Sequence, residues 1–181
     1  AQGVVPNPDV VNSRNISKFT KKEIEENKIE VGQGVFVIDK NLIENSKFIK
    51  PLFEPENFDR YYHNPKFVKE LIYIPKGEEP ETQVLEHLDK YRPIMEERRE
   101  NKSGSILYYN LHWPRDEKFF KEGGKIISLR KCPKRPIFSY SDIDCYVMLS
   151  FNVIKTSSIN QKYLTGLLNS DLIAFWLKYQ G

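Results

Sequence analysis

The clearest periodicity in the chain lies between Thr82 and Glu100. There Val84, Leu85, Leu88, Tyr91 and Met95 fall on one helical stripe and the charged residues fall elsewhere. Pro93 should kink that helix or divide it in two, because proline has no amide hydrogen to give and its ring crowds the preceding turn. Elsewhere the apolar runs are short and closed by turn formers. Gly34 to Ile38, Glu70 to Pro75, Lys125 to Arg130, Pro136 to Tyr140 and Cys145 to Ile154 read as strands, the last three joined by polar turns into an antiparallel-rich sheet. Thr20 and Glu23 fit a capping box opening a short charged helix that Gly32 ends. Asn160 or Ser158 caps a helix carrying Tyr163, Leu164, Leu167 and Leu168, and Ser170 caps another carrying Leu172, Ile173, Phe175, Trp176 and Leu177. Residues Asn41 to Lys47 form a turn of helix, Ile49 to Tyr62 an irregular crossing segment, and Ala1 to Phe19 a long loop. Ile106 to Asn110 fits an edge strand and the last turn of a helical hairpin equally well. Helices and strands alternate irregularly, so the expected fold is mixed α/β (α+β). It is a single domain over residues 1 to 181, with an antiparallel-rich sheet flanked by helices, a long N-terminal loop and a C-terminal helical pair.

With 181 residues, 39% of them hydrophobic, the chain is long enough to bury a proper core. No run reaches the roughly 20 apolar residues that span a bilayer, and Ala1-Gln2-Gly3 begins neither a basic nor an apolar leader. Cys132 and Cys145 are too few for a disulfide framework and lack metal-ligand spacing, which points to reduced thiols and a cytoplasmic location. The polar, turn-rich start without an initiator methionine reads as a domain excised from a longer protein.

Motifs for chemistry are sparse. His63, His87 and His112 do not sit at metal-ligand spacing, and no nucleophile elbow, Walker loop or dinucleotide fingerprint is present. Glu26-Asn27-Lys28 has the Glu-x-Lys form of metal-dependent nucleases but falls inside a charged helix. Paired acids such as Glu96 with Glu97, or Asp142 with Asp144, are sequence neighbours that do not converge on one reacting atom.

The charge distribution says more than the net +3. Bases outnumber acids by five between Trp113 and Arg135, whereas acids outnumber bases by four between Glu78 and Asn101. A basic side suits a polyanion, although lysines and arginines that merely solvate turns give the same tally. The bases concentrate in two proline-braced turns, Trp113 to Asp116 and Arg130 to Arg135. Such a turn can hold a guanidinium toward a phosphate or a guanine edge without being ordered on binding. Trp113 serves either as an aromatic contact beside these bases or as a buried anchor for its loop. In the opening loop Asn7, Asn12, Arg14 and Asn15 are polar side chains that can read base edges if the loop reaches a groove.

Several segments together resemble a known family: Gln2-Gly3-Val4-Val5, Val35-Phe36-Val37-Ile38, Ile49-Lys50-Pro51-Leu52-Phe53, Tyr61, Leu88 to Arg99, Tyr109-x-Leu111-His112-Trp113-Pro114-Arg115, Lys125-Ile126-Ile127, Phe138, and Tyr163 to Ser170 running on to Phe175-Trp176. In order and spacing they are similar to the TaqI-like C-terminal specificity domain. That is the target recognition domain of adenine-specific DNA methyltransferases and fused type II (IIG) restriction-modification enzymes, related to type I specificity subunits. Ile16 to Ile29 and Arg130 to Arg135 look like this member's own variation. The resemblance implies a domain that grips double-stranded DNA and selects a site. A separate methyltransferase domain of the parent chain, with or without a nuclease domain, acts on an adenine flipped out of the helix. The parent would use S-adenosylmethionine, and magnesium if it carries the nuclease. This chain has neither Asn-Pro-Pro-Tyr/Phe nor a glycine-rich donor loop, so no cofactor, catalytic residue or metal site is expected in it. Candidate DNA-binding residues are Asn12, Arg14, Lys18, Trp113, Arg115, Lys118, Arg130, Lys131, Lys134 and Arg135, with Lys118, Lys131 and Lys134 on phosphates and Arg14, Arg115, Arg130 and Arg135 competing for base edges. Two other classes remain open: a non-catalytic assembly module, from the acidic helix and the Leu/Trp-rich C-terminus, and a small Mg-dependent nuclease built on Glu26.

Overall fold

A computed structural model describes residues 1–132 and 134–180. In chain order its elements are α1 (Lys21–Asn27), β1 (Val37–Asp39), β2 (Ile49–Phe53), β3 (Lys69–Ile72), α2 (Thr82–Asp89), α3 (Arg92–Glu96), α4 (Arg99–Lys102), β4 (Lys125–Leu129), β5 (Phe138–Ser141), β6 (Tyr146–Val147), β7 (Phe151–Ile154), α5 (Gln161–Leu168) and α6 (Asp171–Gln180). The strands fall into two sheets, mostly antiparallel, so the class is the mixed α+β one that the irregular alternation implies. The chain groups into two compact units. One comprises Ala1–Val4, Pro51–Phe67 and Arg115–Gly181, the other Val5–Lys50 and Val68–Pro114.

The first unit is built on the antiparallel sheet β5-β4-β7, with Ile126 opposite Tyr140 on one side and Ile154 on the other. All of β4 from Lys125 to Ser128 is buried, and the Phe58 ring pairs with those of Phe53 and Phe151. Burying each such ring contributes roughly 1.5–3 kcal/mol. The N-terminus joins this unit as an extended segment: Val4 N–H donates to the Val147 carbonyl at 2.9 Å and Gly3 N–H to the Phe151 carbonyl at 3.1 Å. A Cβ on Gly3 would lie 2.0 Å from the Met148 carbonyl oxygen, so only glycine fits there. The segment from Ile49 onward is not irregular throughout. It contains β2, whose Leu52 and Phe53 pair in parallel with Tyr146 and Val147 of β6. Those registered pairs begin after Pro51, so the missing proline N–H interrupts no bond in that pairing.

The second unit pairs β1 with β3 antiparallel, Val37 opposite Leu71, beneath a core that includes Phe36, Ile72, Leu88 and Met95. The Thr82–Glu100 helix is broken just before Pro93, which sits in the first turn of α3 where no amide hydrogen is needed, but it falls into three pieces and not two, with a second break at Glu97–Arg98 between α3 and α4. Thr20 and Glu23 make the predicted capping box, but α1 ends at Asn27 and Lys28 takes the left-handed conformation that a glycine often supplies. Asn41 to Lys47 is not helical: Asn41 and Asn45 adopt φ of 65° and 57°, which a right-handed helix excludes. Ile106 to Asn110 is neither strand nor helix. It is a turn gathered around Arg98, a buried guanidinium that donates to the carbonyls of Met95, Asn7, Leu107, Tyr108 and Asn110. Burial pushes the Arg98 pKa down to about 10, which still leaves the group charged at neutral pH. No helix among the described residues is long and apolar enough to cross a membrane.

Two histidines are tied into these cores. The His87 Nε2–H donates to the Val35 carbonyl at 3.0 Å, and the His63 Nδ1–H to the Tyr140 carbonyl at 3.3 Å. Burial lowers both pKa values below the ordinary 6.5, so the unfolded chain binds more protons than the folded one below that pH. Stability is therefore complete above pH 6.5 and lost as the pH falls through the depressed folded values. Denaturant unfolding should show a lower free energy at pH 5 than at pH 7.5, with the difference reduced when both histidines are replaced by glutamine; equal values at the two pH settings would contradict this account.

Candidate nucleic-acid interface

The basic stretch between Trp113 and Arg135 resolves into side chains of very different fates. Lys125 is fully buried in β4 and donates to the Ile143 carbonyl at 2.6 Å, next to buried Cys145, whose thiol burial pushes up to about 12. Lys118 pairs with Asp116 at 2.6 Å and Lys121 with Glu117 at 3.1 Å. Arg115 has a positive φ of 65°, and its guanidinium donates to the Gly3 carbonyl and to Gln2 Oε1, so its turn clamps the N-terminal segment. Lys118 and Lys121 are both solvent-exposed, so what sets the β4–β5 turn apart is bases that are exposed and also without an acid partner among the described residues. Arg130 reaches the Leu149 carbonyl at 3.4 Å and is exposed, and Lys131 and Lys134 are exposed with no acid within ion-pair distance among the described residues. Pro133, part of the predicted proline brace, lies outside the described residues.

That turn stands on a rigid base. Asn169, at the C-terminal cap of α5, is buried, and its side chain behaves as a strand partner of Phe138: Oδ1 accepts from the Phe138 N–H at 3.2 Å and Nδ2 donates to the Phe138 carbonyl at 2.6 Å. A third bond runs from Nδ2 to the Thr165 carbonyl. The Asn169 carbonyl, one of the unsatisfied groups at a helix end, accepts from Arg60 Nη2 at 2.8 Å and from Arg135 Nη2 at 2.6 Å. Two cations at a helix C-terminus suit its partial negative charge. Asp171, itself almost fully exposed, pairs with Arg135 at 2.6 Å. Arg135 is thus a positioned cation whose charge is partly offset, and Arg60 is a member of the cluster that its sequence neighbourhood did not reveal. Nearby in the same unit Lys155 donates to the carbonyls of Lys118, Lys121 and Glu122, and Lys162 lies 5.2 Å from the Tyr140 ring.

The other candidates belong to the second unit. Asn12 Oδ1 accepts from the amides of Arg14 and Asn15, so that oxygen shapes the loop, and it leaves the Arg14 side chain exposed at the turn. Lys18 lies 3.8 Å from Glu97. Trp113 is 50% exposed, so it is not a buried anchor; its backbone bridges Val5 and its ring lies 4.6 Å from His112. The acidic stretch opposite in sign is largely paired, Glu78 with Lys47, Glu96 with Arg92 and Glu97 with Lys102. Glu26 pairs with Lys22 on the exposed face of α1, and no group of three His, Cys, Asp or Glu among the described residues is placed to hold a metal ion.

The first unit is thus a mixed α+β body with a basic turn on a hairpin, in which Arg130, Lys131 and Lys134 have no acid partner among the described residues and Arg135 is paired with Asp171. Residues 22–180 match the TaqI-like C-terminal specificity domain, and the chain belongs to that family. It is a DNA-recognition specificity domain of the restriction-modification kind, and such a domain works within a larger enzyme. No curated protein matches the chain.

Replacing Asn169 by alanine removes three side-chain hydrogen bonds and takes away the Asn169 Oδ1 acceptor of the Phe138 N–H, while the Phe138 carbonyl keeps the Tyr61 N–H. It should cost about 2–4 kcal/mol in thermal or denaturant unfolding; a cost below about 0.5 kcal/mol would show that the bridge is not structural.

Proposed function

We propose that the chain, acting over residues 1–181 as one target recognition domain, selects the DNA site at which a partner methyltransferase domain of the parent protein modifies adenine. The observation that carries the reading is the Arg130–Arg135 turn, whose exposed Arg130, Lys131 and Lys134 have no acid within ion-pair distance among the described residues, while Lys125 is buried, Arg115 is bonded to Gln2 and the exposed Lys118 and Lys121 are ion-paired. In this reading Lys131 and Lys134 lie along phosphates and set register, and Arg130 reaches a base edge. Arg14 and the half-exposed Trp113 are further contacts. Arg115 and Arg135 act mainly by holding the scaffold, since their head groups are engaged at Gln2 and Gly3 and at Asn169 and Asp171. The donor S-adenosylmethionine would bind in the parent's catalytic domain, as would magnesium in any fused nuclease.

Replacing Lys131 and Lys134 together by glutamine should weaken binding to all duplexes alike and lower the slope of log affinity against log salt by about 2. Replacing Arg130 by alanine should relax preference at one position by about 1–3 kcal/mol. Fluorescence anisotropy across a salt series, with sequencing of duplexes recovered from a random pool, checks both. An unchanged slope and unchanged preference would overturn the placement.

A second observation concerns the rest of the enzyme. On α6, Leu172, Phe175, Trp176 and Tyr179 recur at helical spacing and are 71%, 63%, 55% and 65% exposed. A contiguous apolar stripe of this kind marks a surface that another protein surface covers. In the proposed reading it is the face on which the parent's catalytic part docks. With Trp113 replaced by phenylalanine, the emission that the full parent loses on Trp176→Phe should be blue-shifted relative to Trp176 emission in the isolated domain; identical emission would contradict docking there.

A further inference from the structure

Tyr61 is a bulky residue in a conformation that favours glycine, with φ of 78°. It sits in the tip Asp59–Tyr62 of a small hairpin closed by the Phe58–His63 bridge and by the Asp59 N–H donating to the Tyr62 carbonyl at 3.1 Å. The tip is pinned to β5: Tyr61 N–H donates to the Phe138 carbonyl at 3.0 Å, its carbonyl accepts from Tyr140 N–H at 3.1 Å, and Ser139 Oγ donates to the Asp59 carbonyl. Phe58 at its base is buried against Phe53 and Phe151.

Everything in this hairpin is ordered, yet its two rings face solvent, Tyr61 49% and Tyr62 62% exposed. Burial in the core therefore does not explain a tyrosine where glycine would be easier. Backbone strain of this kind persists only where the surroundings hold it, and it gathers at sites of recognition. The ring is also fixed from the side. Arg60 Nη2 donates to Tyr61 Oη at 2.9 Å and its guanidinium lies 5.1 Å from the ring centroid. The same Nη2 reaches the Asn169 carbonyl that Arg135 shares, so the Tyr61 ring stands against one guanidinium that meets a second at a common acceptor at the foot of the β4–β5 turn.

An exposed aromatic face held in place by a fixed guanidinium is what a nucleic-acid base requires of a stacking partner: the ring meets the base, and little conformational freedom is lost on contact. We propose that the Asp59–Tyr62 tip is an aromatic wedge, Tyr61 and Tyr62 stacking on a base that has left the helical stack of the bound DNA. The inference rests on the DNA-recognition reading and adds to it the step at which the duplex is deformed.

The test compares a labelled, fully paired duplex with the same duplex carrying one central mismatched pair, where unstacking is easier. The unaltered protein should bind the mismatched duplex about tenfold tighter. The Tyr61→Gly, Tyr62→Ser variant should bind both duplexes equally, with the salt dependence unchanged. Glycine suits the φ at position 61, so this variant keeps the backbone, and its thermal unfolding verifies that. Equal affinity of the unaltered protein for both duplexes, or a mismatch preference that survives in the variant, would overturn the wedge and leave the DNA-recognition reading standing. Failure to bind either duplex in a salt-dependent way would overturn that reading as well.

Discussion

A buried amide cannot be left unbonded without a cost comparable to the gain from several buried methyl groups, and at Asn169 this constraint organises one whole end of the first unit. Its side chain completes the hydrogen bonding of Phe138 in place of a neighbouring strand, which ties α5 to β5. Its carbonyl gathers Arg60 and Arg135, which ties the Asp59–Tyr62 hairpin and the β4–β5 turn to the same point. Remove the side-chain amide, and α5 loses its bonds to β5, the strand to which the hairpin tip is also pinned.

Arg98 plays the equivalent part in the second unit. A charge taken out of water is tolerable when backbone carbonyls surround it, and Arg98 meets that condition by collecting them from the opening loop, from α3 and from the 107–110 turn. In both units, segments without regular ladders are ordered by one polar side chain bonded to several backbone groups. This is why a chain with such short strands and long connections holds a defined shape.

Local signals were legible in the sequence because their physics is local. The capping box at Thr20, the Asn160 cap and the break at Pro93 each depend on residues within a turn of one another, and each is present. The family was legible too, from the order of Gln2-Gly3, Trp113-Pro114-Arg115 and Leu167-Leu168-Asn169-Ser170. Gly3 and Asn169 prove to sit where a Cβ clashes and where a buried amide is needed. Less visible were features set by distant partners. Pro51 masked β2, left-handed asparagines undid a predicted helical turn, and a charge tally counted Lys125 with the surface although it is buried in β4. Arg60 and Tyr61 lie in a segment read as irregular, and nothing in their own neighbourhood announces that they meet Asn169 and β5. Only a pairing across about a hundred residues brings them there.

The β4–β5 turn begins and ends on strands whose register is fixed by β7 on one side and by Asn169 on the other. Changing the residues between Arg130 and Arg135, or adding to them, therefore alters neither the core nor the bridge beneath it, and lengthening a loop whose ends are already held costs little in closure entropy. On the proposed reading, a domain built this way acquires a new DNA target by drift in one exposed turn while its folding equilibrium stays where it was, so selection on recognition and selection on stability act on separate parts of the chain.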